Sequence, residues 1–409
     1  MKIWLGERFL LCGLLALFLR LTNLFELHLF GLDQEYQALL AFEQVKNFHP
    51  IWTGVSVADL GFYLGPIFTY LTAILLFISQ GKVQILAQAG AVVGLITWLT
   101  VVITSKKIFG DRIALVLAVL YSCLPFFVQW DQQWWNPSFV FLLSTLMCYG
   151  LVQSSRGQNN HILWSWFALA CSFHIHISLW IFTPWIVAVS FSKLRKRDYV
   201  STVLGLLMVF LSYLPLLIFD LNHNFDNLLL PTRHFKELIL GGILSIVLVQ
   251  KTKKRPLIGI TLLYILFLLF YDGEIFAWYL FGLAIVLMFL WAELFSESKS
   301  SVKKFMVTFI FLITMICFPK PNINLPLSQK LKIVDEIASK VGRGNFELKT
   351  DSPYRENAGW YYLLQTYFHA PVKSDSDEVF GWIYQSNDNK DSINSKVYIS
   401  NDGLVELKK

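Results

Sequence analysis

The sequence predicts an all-α polytopic membrane bundle of about eleven or twelve hydrophobic helices, with a small α/β domain at its C-terminal end on the non-cytoplasmic side. Three observations carry this reading. The chain is 55% hydrophobic and 15% charged, whereas a soluble domain has about a quarter charged residues. Long apolar runs recur along most of the 409 residues. The basic residues gather in short clusters between those runs, as the positive-inside rule expects. For the same reason the net charge of +6 does not indicate nucleic acid: it comes as clusters at span ends, with no basic face.

A bilayer core about 30 Å thick needs roughly 20 apolar residues in a helix. The candidate runs are 9–25, 62–79, 83–104, 112–129, 138–153, 162–175, 177–192, 200–219, 237–250, 257–271, 275–294 and 304–318. Several are short, so the bilayer thins there or the helix packs inside the bundle. The first run is expected to be a retained span, because no small-residue cleavage site follows it. Cys12, Cys123, Cys148, Cys171 and Cys317 lie within or beside apolar runs and show no metal or disulfide spacing.

Four basic clusters set the orientation: Lys106, Lys107 and Arg112; Lys193, Arg195, Lys196 and Arg197; Lys251, Lys253, Lys254 and Arg255; Lys299, Lys303 and Lys304. With these in the cytoplasm, and Lys2 and Arg8 beside them, the loop 26–61 is outside, together with 130–137, 220–236 and 272–274. Parity then requires an odd number of crossings between that loop and Lys106, yet two apolar runs intervene. Either 62–79, with Gly65 and Pro66 near its start, is interfacial or re-entrant, or Lys106 and Lys107 face outward. After residue 318, Pro319, Pro321 and Pro326 end the last span. Residues 327–341 have helical spacing of Leu331, Val334, Ile337 and Val341; 379–384 and 396–399 read as strands. The division is therefore 1–318 in the membrane and 319–409 as an outer soluble domain.

Polar residues collect at the outer ends of the spans. Asp33 and Glu35 open the segment after the first span, where they serve either a helix N-terminus or a reaction. Arg20, inside the first run, is a functional charge or snorkels to the interface. Trp134, Trp135 and Asn136 fall in a short tryptophan-rich loop that reads as an interfacial belt or as a sugar platform. His174 and His176 lie near one outer span end, without a third ligand at metal spacing. Asp220, His223, Arg233 and His234 lie near another, where Arg suits phosphate. Transporters more often place such groups at midplane. Gathering at one interface suggests work on a lipid-linked substrate.

The chain has "LRLTNL" at 19–24, "GLDQEYQALLA" at 31–41, "LGPIFTYL" at 64–71, "KKIFGDRIALVLAVLYSCLPFFVQ" at 106–129 and "WWNPSF" at 134–139. In this order they resemble the GT-C membrane glycosyltransferases, in particular the branch of protein O-mannosyltransferases and lipid A aminoarabinose transferases. The resemblance covers residues 1–235. It implies a GT-C-like fold, a donor sugar on a polyprenyl phosphate, inversion at the anomeric carbon, and a catalytic carboxylate in the first outer loop. Many members carry adjacent Asp and Glu there; here Gln34 separates Asp33 from Glu35, and Asp33 is the favoured base. Where relatives often have a second acidic residue before a proline, this chain has Asn136 before Pro137, so no metal is indicated.

The resemblance further implies that Arg233, His223 or His234 faces the leaving phosphate, that Trp134 or Trp135 flanks the sugar, and that Arg20 orients the carboxylates or touches the phosphate. The expected partners are the polyprenyl-phosphate sugar, membrane lipid, and an acceptor glycan, lipid or protein, in a bacterial inner or plasma membrane. A polymerase or ligase of O-antigen type and a flippase for lipid-linked saccharides are the alternatives.

Overall fold

The computed structural model describes residues 2–56, 63–194, 199–233, 235–270, 276–321, 323–351, 358–374 and 395–408. The predicted strand at 379–384, the outer loop 272–274 and the basic residues 195–197 lie outside them. The chain enters with α1 (Lys2–Leu21), whose Leu10, Leu11, Leu14 and Phe18 are left outward-facing, as lipid contact requires. Two helices follow before the next crossing: α2 (Leu32–Lys46) and α3 (Ile67–Ile78).

The α3 helix has 12 residues and is about 18 Å long, too short for a bilayer core of about 30 Å. Both its ends are held at one face. The Gly65 N–H donates to Phe173 O, and the Tyr362 hydroxyl of the C-terminal unit donates to Gly81 O just past the other end. The run 62–79 therefore does not cross, which resolves the parity conflict. Instead α3 packs along α2, and the two lie side by side at that face.

The bundle continues with α4 (Gln84–Phe109), α5 (Asp111–Cys123) and α6 (Pro125–Asp131), α5 and α6 meeting at a bend of 63°. Pro125 opens α6, where its missing N–H costs no helical bond. Then come α7 (Val140–Ser155), α8 (Ile162–Ile175), α9 (Thr183–Leu194), α10 (Val200–Asn222), the short α11 (Asp226–Arg233), α12 (Phe235–Thr252), α13 (Pro256–Phe270), α14 (Phe281–Glu297) and α15 (Ser301–Cys317). Four helical segments, Gln84–Phe109, Asn136–Ser155, Val200–Asn222 and Ala277–Glu297, are long and apolar enough to cross alone.

Contacts between distant residues fix the two faces. At one, Gln153 donates to Lys107 O, Arg156 to Ile108 O and Ser155 to Lys253 O, while Arg255 pairs with Glu297. This is the basic face. At the other, Trp130 donates to Pro319 O, and Trp135 packs on Trp278. By length and composition α4, α7, α10 and α14 thus serve as crossings, and α5 with α6 adds a fifth if the bent pair is one span.

The C-terminal unit has α16 (Leu327–Val341), β1 (Phe346–Thr350), α17 (Trp360–Tyr367), β2 (Lys373–Ser374), β3 (Ser395–Ile399) and β4 (Val405–Lys408). The sheet order is β2-β1-β3-β4, with β1 parallel to both neighbours and β4 antiparallel to β3. Phe346, Leu348, Val397 and Ile399 pack with Ile333, Ile337 and Trp360. Trp360 and Tyr362 are thus core. The unit sits on the face opposite the basic one: Leu327 N–H donates to His28 O, Ser328 N–H to Phe25 O, and Val83 N–H to the Tyr367 hydroxyl.

Candidate active site

The segment between α1 and α2 leans on a buried ion pair. The Arg20 guanidinium is fully buried in the last turn of α1. Its Nε and Nη2 reach Asp131 Oδ2 at 2.8 and 2.6 Å, and Nη2 also donates to Tyr121 O at 3.0 Å. The Tyr121 hydroxyl donates to the other Asp131 oxygen at 2.9 Å. Gly94 makes room, since a Cβ there would lie 2.4 Å from that of Asp131. Arg20 was expected to orient Asp33 and Glu35 or touch a phosphate. Its partner is a third carboxylate, and together they join α1, α5 and α6.

The next two residues extend this frame. Gln132 Nε2 donates to the Leu19, Arg20 and Thr22 carbonyls, covering the open C-terminal end of α1. Gln133 holds the following stretch, accepting from Leu29 N–H at 2.8 Å and donating to Leu27 O at 2.6 Å. His28 Nδ1 lies 2.8 Å from Gln132 O, so that nitrogen carries the proton; burial lowers the imidazole to about 4 and leaves it neutral. The segment 27–29 is therefore fixed immediately before α2.

The N-cap of α2 is Gly31, with its N–H donating to Gln34 Oε1 at 3.1 Å; Asp33 is the second helical residue, not the cap. Asp33 and Glu35 both fall in the first turn, where the helix dipole favours negative charge. Their surroundings differ completely. Glu35 is fully buried. Its Oε2 accepts from Gly359 N–H at 2.9 Å and its Oε1 from Tyr362 N–H at 2.8 Å. Those donors belong to the open N-terminus of α17. Burial raises Glu35 to about 7, against the pull of those N–H groups and of Lys330. Lys330, also buried, donates to Phe30 O at 2.8 Å and to Ala358 O.

Asp33 takes no hydrogen bond or ion pair among the described residues, and its side chain is open to solvent. Surrounding protein nevertheless raises its carboxyl to about 6 by desolvation. Of the two carboxylates in the first turn, only Asp33 is available to a substrate.

The remaining predicted residues are mostly engaged. Trp134 is buried, donates to Thr72 Oγ1 at 2.9 Å and stacks on Phe68, so it is a core residue that pins α3 and does not flank a sugar. Trp135 is half-buried between Trp130 and Trp278. Asn136 donates to His174 O at 3.4 Å, and the His174 ring occupies the space that a Gly65 side chain would fill. His176 closes the C-terminal end of α8, its Nδ1 against the Ser178 hydroxyl at 2.8 Å.

Asp220 is buried, accepting from Asn227 N–H at 2.9 Å and the Tyr213 hydroxyl at 3.1 Å. Asn227 Oδ1 in turn accepts from Tyr63 N–H at 2.7 Å, so this cluster ties the end of α10 to the segment between α2 and α3. His223 is exposed and stacks on Phe219. Arg233 ends α11, but its side chain, like His234, lies outside the described structure. No hydrogen bond or ion pair joins Asp33 to Arg20, Asn136, His176 or Asp220 among the described residues. No three His, Cys, Asp or Glu residues come together there at spacing that would hold a metal ion.

Sequence reasoning missed Asp131, Gln132, Gln133 and Lys330 as determinants. The first three stand in the polar run between Trp130 and Asn136, which was a signal; Lys330, on the amphipathic α16, gave none. Beside α2 lies a cleft of about 500 Å³, walled by Tyr36, Leu40, Glu43 and Gln44 of that helix and by the chain from His49 to Gly54.

No family model matches this chain, and no curated protein sequence does. Three solved structures resemble it. One is ArnT from Cupriavidus metallidurans bound to undecaprenyl phosphate, at 12% identity and TM-score 0.48, over 87% of this chain and 84% of that one. The others are of the Archaeoglobus fulgidus oligosaccharyltransferase, also at 12% identity. Its complex with zinc and sulfate has a TM-score of 0.49 over 96% and 68% of the two chains. Its apo form has 0.48 over 92% and 65%.

Proposed function

We propose that this membrane protein is an inverting glycosyltransferase that moves a sugar from a polyprenyl-phosphate donor to an acceptor hydroxyl at the face bearing the C-terminal unit, with Asp33 as general base. The observation that carries this reading is the contrast within one helical turn. Glu35 is consumed by contacts to the C-terminal unit, while Asp33 takes no hydrogen bond or ion pair among the described residues and is raised to about 6 in pKa. The resemblance of residues 1–235 to GT-C enzymes supports it, as does the gathering of polar groups at one interface.

An alcohol is a weak nucleophile near pH 7. A base with a pKa near the working pH removes its proton most effectively as attack proceeds. With a pKa of about 6, Asp33 is mostly ionised at pH 7 yet basic enough to accept a proton. The acceptor oxygen forms a bond to the anomeric carbon, its proton passes to Asp33, and the carbon–oxygen bond to the phosphate breaks with its electrons on the lipid phosphate. Attack from the face opposite the leaving group inverts the centre. Arg233, or His223 or His234, would meet the growing phosphate charge. The divided frame of Arg20, Asp131, Gln132 and Gln133 would serve by keeping α2 still, so that Asp33 is positioned before substrate arrives.

The test is incubation of the purified protein with polyprenyl-phosphate hexose and pentose donors and a panel of hydroxyl acceptors, followed by NMR of the product. Release of polyprenyl phosphate with an inverted anomeric centre is expected. A product with retained configuration, or none from any donor while the protein carries saccharide lipids across vesicles, overturns the reading.

A further inference from the structure

The cleft beside α2 has a lining whose chemistry indicates its ligand. Four of its residues, Tyr36, Leu40, Glu43 and Gln44, come from one side of α2, and Asp33 stands at the head of that same side, three, seven and eleven residues before Tyr36, Leu40 and Gln44. The opposite wall is the chain from His49 to Gly54. It is held in place: the Tyr70 hydroxyl accepts from Ile51 N–H at 2.8 Å, and Gly54 N–H donates to Leu64 O at 2.6 Å. Trp52 presents an exposed indole from that wall, while Tyr63 and Phe219 add further aromatic surface.

The polar groups are of one kind. Glu43, Gln44 and His49 line the cleft, and among the described residues no Lys or Arg does. A phosphate or other anion would meet the Glu43 carboxylate with no Lys or Arg among the described lining residues to offset it. Gln44 is more than nine-tenths buried, and its Oε1 has no hydrogen-bond partner, although a buried amide oxygen ordinarily finds one. A hydroxyl would supply it. Carboxylate, amide and imidazole beside exposed aromatic faces suit a neutral ring carrying many hydroxyls, whose C–H face packs on the indole while its O–H groups bond to the side chains. The volume of about 500 Å³ falls within the usual range for small-molecule sites, about 300–1,000 Å³.

We propose that this cleft binds the saccharide portion of the acceptor. Resting on the transferase reading, it makes the acceptor a neutral oligosaccharide. Gln44 lies about 16 Å along the helix axis from Asp33, so a ligand that fills the cleft and also brings a hydroxyl to Asp33 spans more than one ring.

The experiment is saturation-transfer NMR and calorimetric titration of the full chain in nanodiscs, without any donor lipid. The probes are mannotriose, chitotriose, maltotriose and the corresponding methyl monosaccharides. One or more of the trisaccharides is expected to bind. Trp52→Ala and Gln44→Leu should each weaken that binding at least about tenfold, as loss of a central anchor does, with the melting temperature unchanged; Asp335→Asn, exposed on α16 and not part of the cleft lining, should leave affinity within about twofold. Trp52 is exposed, so its removal leaves the core intact, and Gln44→Leu keeps the volume while removing the amide. Binding to no trisaccharide, or binding that both cleft variants leave unchanged, overturns the proposal. Because no sugar is transferred, failure of catalysis is read separately: a protein that turns over no donor but binds a trisaccharide through Trp52 retains the cleft and loses the transferase.

Discussion

Glu35 on α2 and Tyr362 on α17 lie 327 positions apart in the sequence, yet the Glu35 carboxylate accepts the Tyr362 N–H at 2.8 Å. The helix that presents Asp33 is thereby capped onto the C-terminal unit. Glu35→Ala leaves the Gly359 and Tyr362 N–H groups buried without an acceptor. A cost of about 1–3 kcal/mol per orphaned group is expected, seen as a lower melting temperature and as faster proteolysis between 318 and 327. The pH dependence follows from the upward shift. The folded state holds the Glu35 proton more tightly than the unfolded chain does, with a pKa of about 7 against 4.5. That contribution is complete below about pH 4.5 and is lost as pH rises through 7. Glu35→Gln should lack this fall in a series of melts from pH 4.5 to 8.

The Arg20–Asp131 pair makes a different demand. Removing one partner strands a buried charge, at about 3–5 kcal/mol, whereas replacing both with apolar groups is far less costly. Arg20→Met should therefore unfold more readily than Arg20→Met with Asp131→Leu, measured by thermal melts of both proteins. If Arg20 instead contacts substrate, the double variant will be stable and bind donor poorly.

Gly65 tests the placement of His174. A Cβ at Gly65 would come within 1.9 Å of the imidazole Nδ1. Gly65→Ala should destabilise by about 1–3 kcal/mol, as overpacking does, and Gly65→Ala with His174→Ala should recover most of it. A stable single variant would show that the ring lies elsewhere.

The rate should follow Asp33. Since only the ionised form accepts a proton, kcat/KM should rise with pH through about 6, the value to which desolvation brings this carboxyl, and level above it. A limb that persists in Asp33→Asn belongs to another group.

Much of the bundle was legible in the sequence, because apolar runs near 20 residues and intervening basic clusters are local features. The non-crossing α3 was legible through parity alone; its length showed only when the helix began at Ile67, after Gly65 and Pro66, rather than at 62. The α16 helix and the strand at 396–399 followed from periodicity. The site was legible only as composition. Arg20 reads as a charge near the membrane, but its partner is 111 residues away. Trp134 reads as an interfacial tryptophan, and only the position of Thr72 on the non-crossing α3 turns it into the core. Sequence favours Asp33 over Glu35 only through the family resemblance; what separates them in the structure is the C-terminal unit, whose Gly359 and Tyr362 amides claim one and leave the other.

The decisive measurement is single-turnover transfer from a polyprenyl-phosphate sugar by the wild-type chain and by Asp33→Asn, both folded by thermal melt. Loss of one general base should slow transfer by about 10²–10⁴-fold while donor binding persists. Transfer by Asp33→Asn at the wild-type rate would contradict the assignment.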